Sequence, residues 1–113
     1  MNSYKTFIET NIFTQRWFEL NLTDGDLIRL QQELIKNPAV GKVIPGTGSL
    51  RKMRIPLKAK GKQSGARVCY VNYVSLDTIV LICVYAKSDS VDLTTDEKKM
   101  FKQLIHRLEE ELK

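Results

Sequence analysis

The chain has 113 residues, 42% of them apolar and 27% charged, and a formal net charge of +5. That suffices for one domain, residues 1–113, burying about two-thirds of its unfolded surface without disulfide or metal staples. The apolar run from Ile79 to Tyr85 is too short to cross a bilayer, and the N-terminal residues lack the layout of an export signal; this excludes membrane roles and predicts a cytoplasmic protein.

In chain order, Tyr4 to Thr10 has strand character, and Asn11 to Leu22 reads as a short helix carrying Ile12, Phe13, Trp17, Phe18 and Leu20. Thr23-Asp24-Gly25-Asp26 then breaks the chain and restarts it, because Thr or Asp there can cap free helix amides. Leu27, Leu30, Leu34 and Ile35 follow a helical period that ends near Asn37-Pro38. The two helices predict a helical hairpin.

Pro45-Gly46-Thr47-Gly48 is a loop, and Leu50 to Leu57 alternates as a strand, with Met53, Ile55 and Leu57 on one face and Lys52 and Arg54 on the other. A polar, lysine-rich connection runs from Ala59 to Gly65. Ala66 to Val74 and Thr78 to Tyr85 are rich in Val, Ile, Tyr and Cys and read as antiparallel partners at the centre of the sheet. Thr94-Thr95-Asp96-Glu97 is a capping box opening a helix with the stripe Met100, Phe101, Leu104, Ile105, Leu108 and Leu112. The order is β-α-α-β-β-β-α, an α+β domain with a small antiparallel sheet, an N-terminal helical hairpin and a C-terminal helix.

Charge is distributed unevenly over this framework. Between Leu34 and Leu76 there is no Asp or Glu, while nine cations fall there: Lys36, Lys42, Arg51, Lys52, Arg54, Lys58, Lys60, Lys62 and Arg67. A surface of one sign is suited to a polyanion, most simply a phosphate backbone. Pleating puts Lys52 and Arg54 on one face, about 7 Å apart. Arg67 opens the next strand, and Tyr85 and Lys87 end the third, so adjacent strands can gather all five on one side.

Such a cluster suits RNA cleavage by the 2′-hydroxyl, which needs a base, cations for the phosphorane and an acid for the leaving oxygen. Arg grips phosphate oxygens and stays protonated, whereas Lys acts as a base only when its pKa falls well below about 10.4. His106, beside Ile105 and Leu108, reads as a border residue of the last helix. Gly46-Thr47-Gly48 lacks the spacing of a nucleotide-binding loop and leads to a strand. Cys69 and Cys83 read as buried, reduced thiols. With one His and two distant Cys, neither a metal site nor a cofactor is called for.

Three segments together resemble a known family: Gly46-Thr47-Gly48-Ser49-Leu50-Arg51-Lys52-Met53-Arg54; Lys60-Gly61-Lys62-Gln63-Ser64-Gly65-Ala66-Arg67-Val68-Cys69-Tyr70; and Tyr85-Ala86-Lys87 with Asp92-Leu93-Thr94. Nearly the whole chain is similar to the HigB branch of the RelE/ParE toxin superfamily. The resemblance implies a toxin of a type II toxin–antitoxin system that cuts messenger RNA in the A site of the 30S ribosomal subunit. It further implies a monomer when free, neutralised by a HigA-type helix-turn-helix antitoxin. Carried over by motif, Lys52, Arg54, Arg67, Lys87 and Tyr85 are the catalytic candidates. Arg51, Lys58, Lys60 and Lys62 are expected RNA-backbone contacts, and Tyr70 is, with Tyr85, a candidate stacking ring. Some RelE relatives place a further Arg and Tyr after the third strand, where this chain has Ser88-Asp89-Ser90-Val91-Asp92. Two other readings predict different outcomes: a ParE-like, non-enzymatic gyrase poison, and an RNA- or ribosome-binding module without catalysis.

Overall fold

A computed structural model of the chain describes residues 5–57, 65–87 and 93–113. Strand β1 (Thr6–Glu9) leads through Thr10 into helix α1 (Asn11–Glu19), and helix α2 (Asp24–Lys36) follows. Thr10 caps α1, its hydroxyl accepting from the Phe13 amide at 3.0 Å. Thr23 caps α2 in a reciprocal box with Asp26. α1 ends three residues before the Leu22 expected from sequence, because Asn21 takes a left-handed backbone, φ 60°, and turns the chain. Five strands form the sheet: β1, β2 (Lys42–Val43), β3 (Arg51–Pro56), β4 (Gly65–Tyr73) and β5 (Thr78–Ala86). Helix α3 (Thr95–Leu112) closes the chain behind the predicted Thr94–Glu97 capping box.

The α+β class and the order of the long elements match the sequence reading. The strand order is β1-β5-β4-β3-β2. β3, β4 and β5 pair antiparallel, as expected, and β2 joins β3 the same way, but β1 joins β5 in parallel, so the sheet is mixed. A lone strand's composition carries no direction for its partner. The two-residue β2 was not anticipated, being far shorter than the window over which alternation is legible.

The sheet separates two apolar layers. On one face Phe13, Trp17, Leu30 and Leu34 of α1 and α2 pack against Met53, Ile55, Val68, Tyr70, Ile79, Leu81 and Val84. Phe13 and Trp17 stack with ring centroids 5.3 Å apart. Ile12 and Phe18, which the sequence grouped with them, turn outward and are exposed. On the other face Ile105, with Phe101, Leu108 and Leu112 beside it, packs against Leu50, Val71, Tyr73, Val80 and Ile82. Met100, counted in that stripe from its spacing, is 59% exposed. The Tyr73 hydroxyl donates to the Ile105 carbonyl at 2.6 Å, tying α3 to β4.

The β2–β3 turn is seated on α3. Gly46 has φ 86°, a left-handed backbone that calls for glycine, and a Cβ there would stand 3.2 Å from Lys98 Cδ. Thr47, fully buried, donates its hydroxyl to the Ile44 carbonyl at 2.6 Å and closes the turn.

Candidate active site

The antiparallel register aligns the cations in rows. Arg54 faces Arg67, and Arg67 faces Tyr85. In the next row Lys42 faces Lys52, Lys52 faces Cys69, and Cys69 faces Cys83. Directly opposed residues share a face, with neighbouring strands about 4.8 Å apart and the rows about 7 Å apart. Lys87 follows β5 immediately, two residues beyond Tyr85, and is exposed. The strip therefore lies on the α3-side face, beside the start of α3.

A β-bulge puts Tyr85 there. Between β4 and β5 the register steps from Cys69↔Cys83 to Tyr70↔Leu81, leaving Ile82 unpaired. Ile79 and Leu81 consequently pack under α1 and α2, whereas Ile82, Cys83 and Tyr85 belong to the α3 side. Unbroken alternation would have sent Tyr85 to the helical-hairpin face.

Arg54 and Arg67 are like charges in direct opposition, an arrangement that opposes folding. Arg67 is only partly exposed, and its Nη1 is buried with no hydrogen-bond partner among the described residues. The ion pairs of the described residues lie elsewhere: Lys5–Asp77, Arg16–Glu19, Arg29–Asp26 and Lys113–Glu110. Two guanidinium groups and Lys52 thus converge without a carboxylate bonded to them among the described residues. A phosphate would satisfy the orphaned donor and relieve the repulsion together.

The sequence model of a family described as the RelE toxin of the RelE/RelB toxin–antitoxin system matches residues 8–112. The chain belongs to the RelE toxin family. It is, accordingly, a toxin of a toxin–antitoxin system. Its match spans every described secondary-structure element apart from the first residues of β1.

Two clefts flank the strip of this RelE-family toxin. One, of about 400 Å³, is lined by Val40, Lys42, Lys52, Arg54, Arg67 and, from α2, Glu33, the single acidic residue of its lining among the described residues. The other, of about 480 Å³, lies between the β2–β3 turn and the start of α3, and Lys52, Tyr85, Cys69, Cys83 and Phe101 help to line it. Lys42 joins both clefts, although the sequence reading counted it only in the overall charge. The β-branched Val43-Ile44 before Pro45-Gly46 was the available signal for a strand that would carry Lys42 to Lys52.

Two predicted RNA contacts have other duties. Tyr70 is fully buried on the helical-hairpin face, where its hydroxyl donates to the Pro38 carbonyl at 2.8 Å and accepts from the Gly41 amide at 2.9 Å. It cannot stack on a base. Burial pushes its phenol up, against the Gly41 hydrogen bond and the nearby Arg51 charge. Gly41 permits this bond, since a Cβ there would come within 2.9 Å of the Tyr70 ring. Arg51, one residue out of phase with Lys52, points to the opposite face and donates to the carbonyls of Gly41 at 2.6 Å and Ala39 at 3.4 Å. It is a brace for the segment before β2 and not an outward contact. Lys58, Lys60 and Lys62, and the 88–92 segment, lie outside the described residues. His106 is exposed on α3.

Among the described residues no group of three or more His, Cys, Asp or Glu comes together as a metal site. No helix among them is long and apolar enough to cross a membrane.

Proposed function

We propose that this toxin is a ribosome-dependent endoribonuclease of the HigB branch, cutting messenger RNA in the ribosomal A site in the cytoplasm. The observation that carries the reading is the opposed Arg54–Arg67 pair, with a buried guanidinium nitrogen left unpartnered and no carboxylate bonded to either among the described residues. In the proposed reaction the 2′-oxygen attacks the adjacent phosphorus and the bond to the 5′-oxygen breaks. The products are a 2′,3′-cyclic phosphate and a 5′-hydroxyl. Arg67 and Arg54 hold the equatorial phosphate oxygens and oppose the charge that develops on the phosphorane. The proton leaving the 2′-hydroxyl and the proton reaching the 5′-oxygen are handled by Lys52, Lys87 and Tyr85, which border the same strip. A cognate antitoxin, of the HigA helix-turn-helix type, neutralises the toxin, which is a monomer when free.

Primer extension on messages after a brief pulse of expression tests the reading. The expected result is discrete cuts within translated codons, ending in cyclic phosphate and lost in Arg67→Ala. Uncut messages with signs of DNA damage would point instead to a ParE-like gyrase poison. Salt-sensitive ribosome binding without any cyclic-phosphate product would leave only a binding module.

A further inference from the structure

The two cysteines, 14 positions apart in the chain, are direct cross-strand partners on β4 and β5, and both are free thiols. Opposed residues of an antiparallel pair have Cα atoms about 4.5–5.5 Å apart, inside the roughly 4.4–6.8 Å that a disulfide spans. The bulge at Ile82 adjoins the pair and gives its backbone latitude to adjust.

The thiols differ in access and in reactivity. Cys69 is 3% exposed and Cys83 is half-buried, yet both line the 480 Å³ cleft. Among the described residues the same lining holds Lys42, Lys52 and Lys98 against a single carboxylate, Glu97, whose Oε1 accepts from the Thr94 amide at 2.9 Å. Interaction with the Cys69 thiol pulls the Cys83 thiol down against the opposing effect of burial, while Cys69 is pushed up. The thiolate is the nucleophile in disulfide exchange, so Cys83 is the group to react first.

We propose that Cys83 and Cys69 form a redox-modification site that takes an anionic low-molecular-weight disulfide. The Cys83 thiolate attacks one sulfur of that disulfide, forming a mixed disulfide and expelling a thiolate that takes up the proton Cys83 lost. Cys69 then attacks the Cys83 sulfur, the second small thiolate leaves, and it takes up the Cys69 proton. One small disulfide is reduced to two thiols, and two protein thiols become one cross-strand disulfide. The bond ties β4 to β5 within the row that contains Lys52. Reversible pairs of this kind suit a reducing compartment, where persistent structural disulfides are rare.

The test uses the reduced full chain, glutathione disulfide as the probe, and intact mass under non-reducing conditions. Wild type should finish two hydrogens lighter, remain a monomer, and return to the starting mass with dithiothreitol. Cys69→Ser should stop one glutathione heavier, because nothing resolves the adduct. Cys83→Ser should stay unmodified while folded and react only in denaturant. Neutral hydroxyethyl disulfide should react at least about tenfold more slowly at low salt, where the lysines steer an anion. Wild type that keeps both thiols, accumulates a stable adduct or forms linked dimers would overturn the proposal. Equal rates with the two disulfides would overturn the choice of an anionic reactant. Should either serine variant fail to fold, peptide mapping of a Cys69–Cys83 link in oxidised wild type decides. The readout is a mass, so it stands or falls apart from RNA cleavage.

Discussion

On the face of the sheet that carries Met53, Val68 and Leu81, α1 and α2 lay down an apolar cover, and the buried residues there serve the fold. On the other face α3 covers Val71, Tyr73, Val80 and Ile82, while Lys52 and Arg54 remain exposed and Arg67 and Tyr85 are partly so. The same strands serve both. Burial of apolar area on the closed face supplies stability, and it offsets the repulsion between the opposed Arg54 and Arg67 on the open one. Mutations on the two faces should therefore separate into those that unfold the chain and those that only disable it.

The largest effect is expected for Phe13→Ala, at the centre of the closed face and 0% exposed. A cavity there should cost about 3–5 kcal/mol, read as a fall in the denaturant midpoint with little change in slope. Next comes Arg67→Ala, which should lower cleavage about 10²–10³-fold, or roughly 2.7–4 kcal/mol of barrier. Its melting temperature should hold or rise, since the change removes one of two opposed guanidinium groups. A fall in stability matching that of Phe13→Ala would erase the distinction between the faces.

A smaller effect concerns the tether under α3. Tyr73→Phe deletes the hydrogen bond to the Ile105 carbonyl and should cost about 1 kcal/mol. Burial, with Glu109 adding its charge, pushes the Tyr73 phenol up to about 12. The folded state thus favours the neutral phenol, and this contribution is complete below the unfolded value of about 10. It is lost as pH rises from there through about 12. Alkaline unfolding curves should consequently be flatter in Tyr73→Phe than in wild type. The smallest effect is expected for Lys42→Ala, a cleft-lining cation with no part in the proton transfers: if it meets one phosphate, the log–log salt dependence of RNA binding should shrink by about 0.7.

Much of the frame was legible because local chemistry decides it. Capping side chains lie within three residues of the amides they serve, so Thr94 and Glu97 announced α3 without help from the rest of the chain. The alternation of β3 likewise separated Met53 and Ile55 from Lys52 and Arg54, because that strand is buried on one side only. β4 and β5 are buried on both faces, and near-continuous apolar runs carry no parity to read. Tyr70 could not be told from an outward ring for that reason. Arg51 was assigned by charge, although its phase in β3 already set it opposite Lys52.

By itself, the sequence determined the helices with their caps, the cation-rich segment, and the face of β3 on which Lys52 and Arg54 stand. Tertiary structure alone decided the parallel seat of β1, the pairing of Lys42 with Lys52 and of Cys69 with Cys83, and the bulge that turns Tyr85 toward Arg67. The division is physical. Periodicity and capping act over a few neighbouring residues, whereas register is an agreement between strands, and one extra residue in either strand reverses every side chain beyond it.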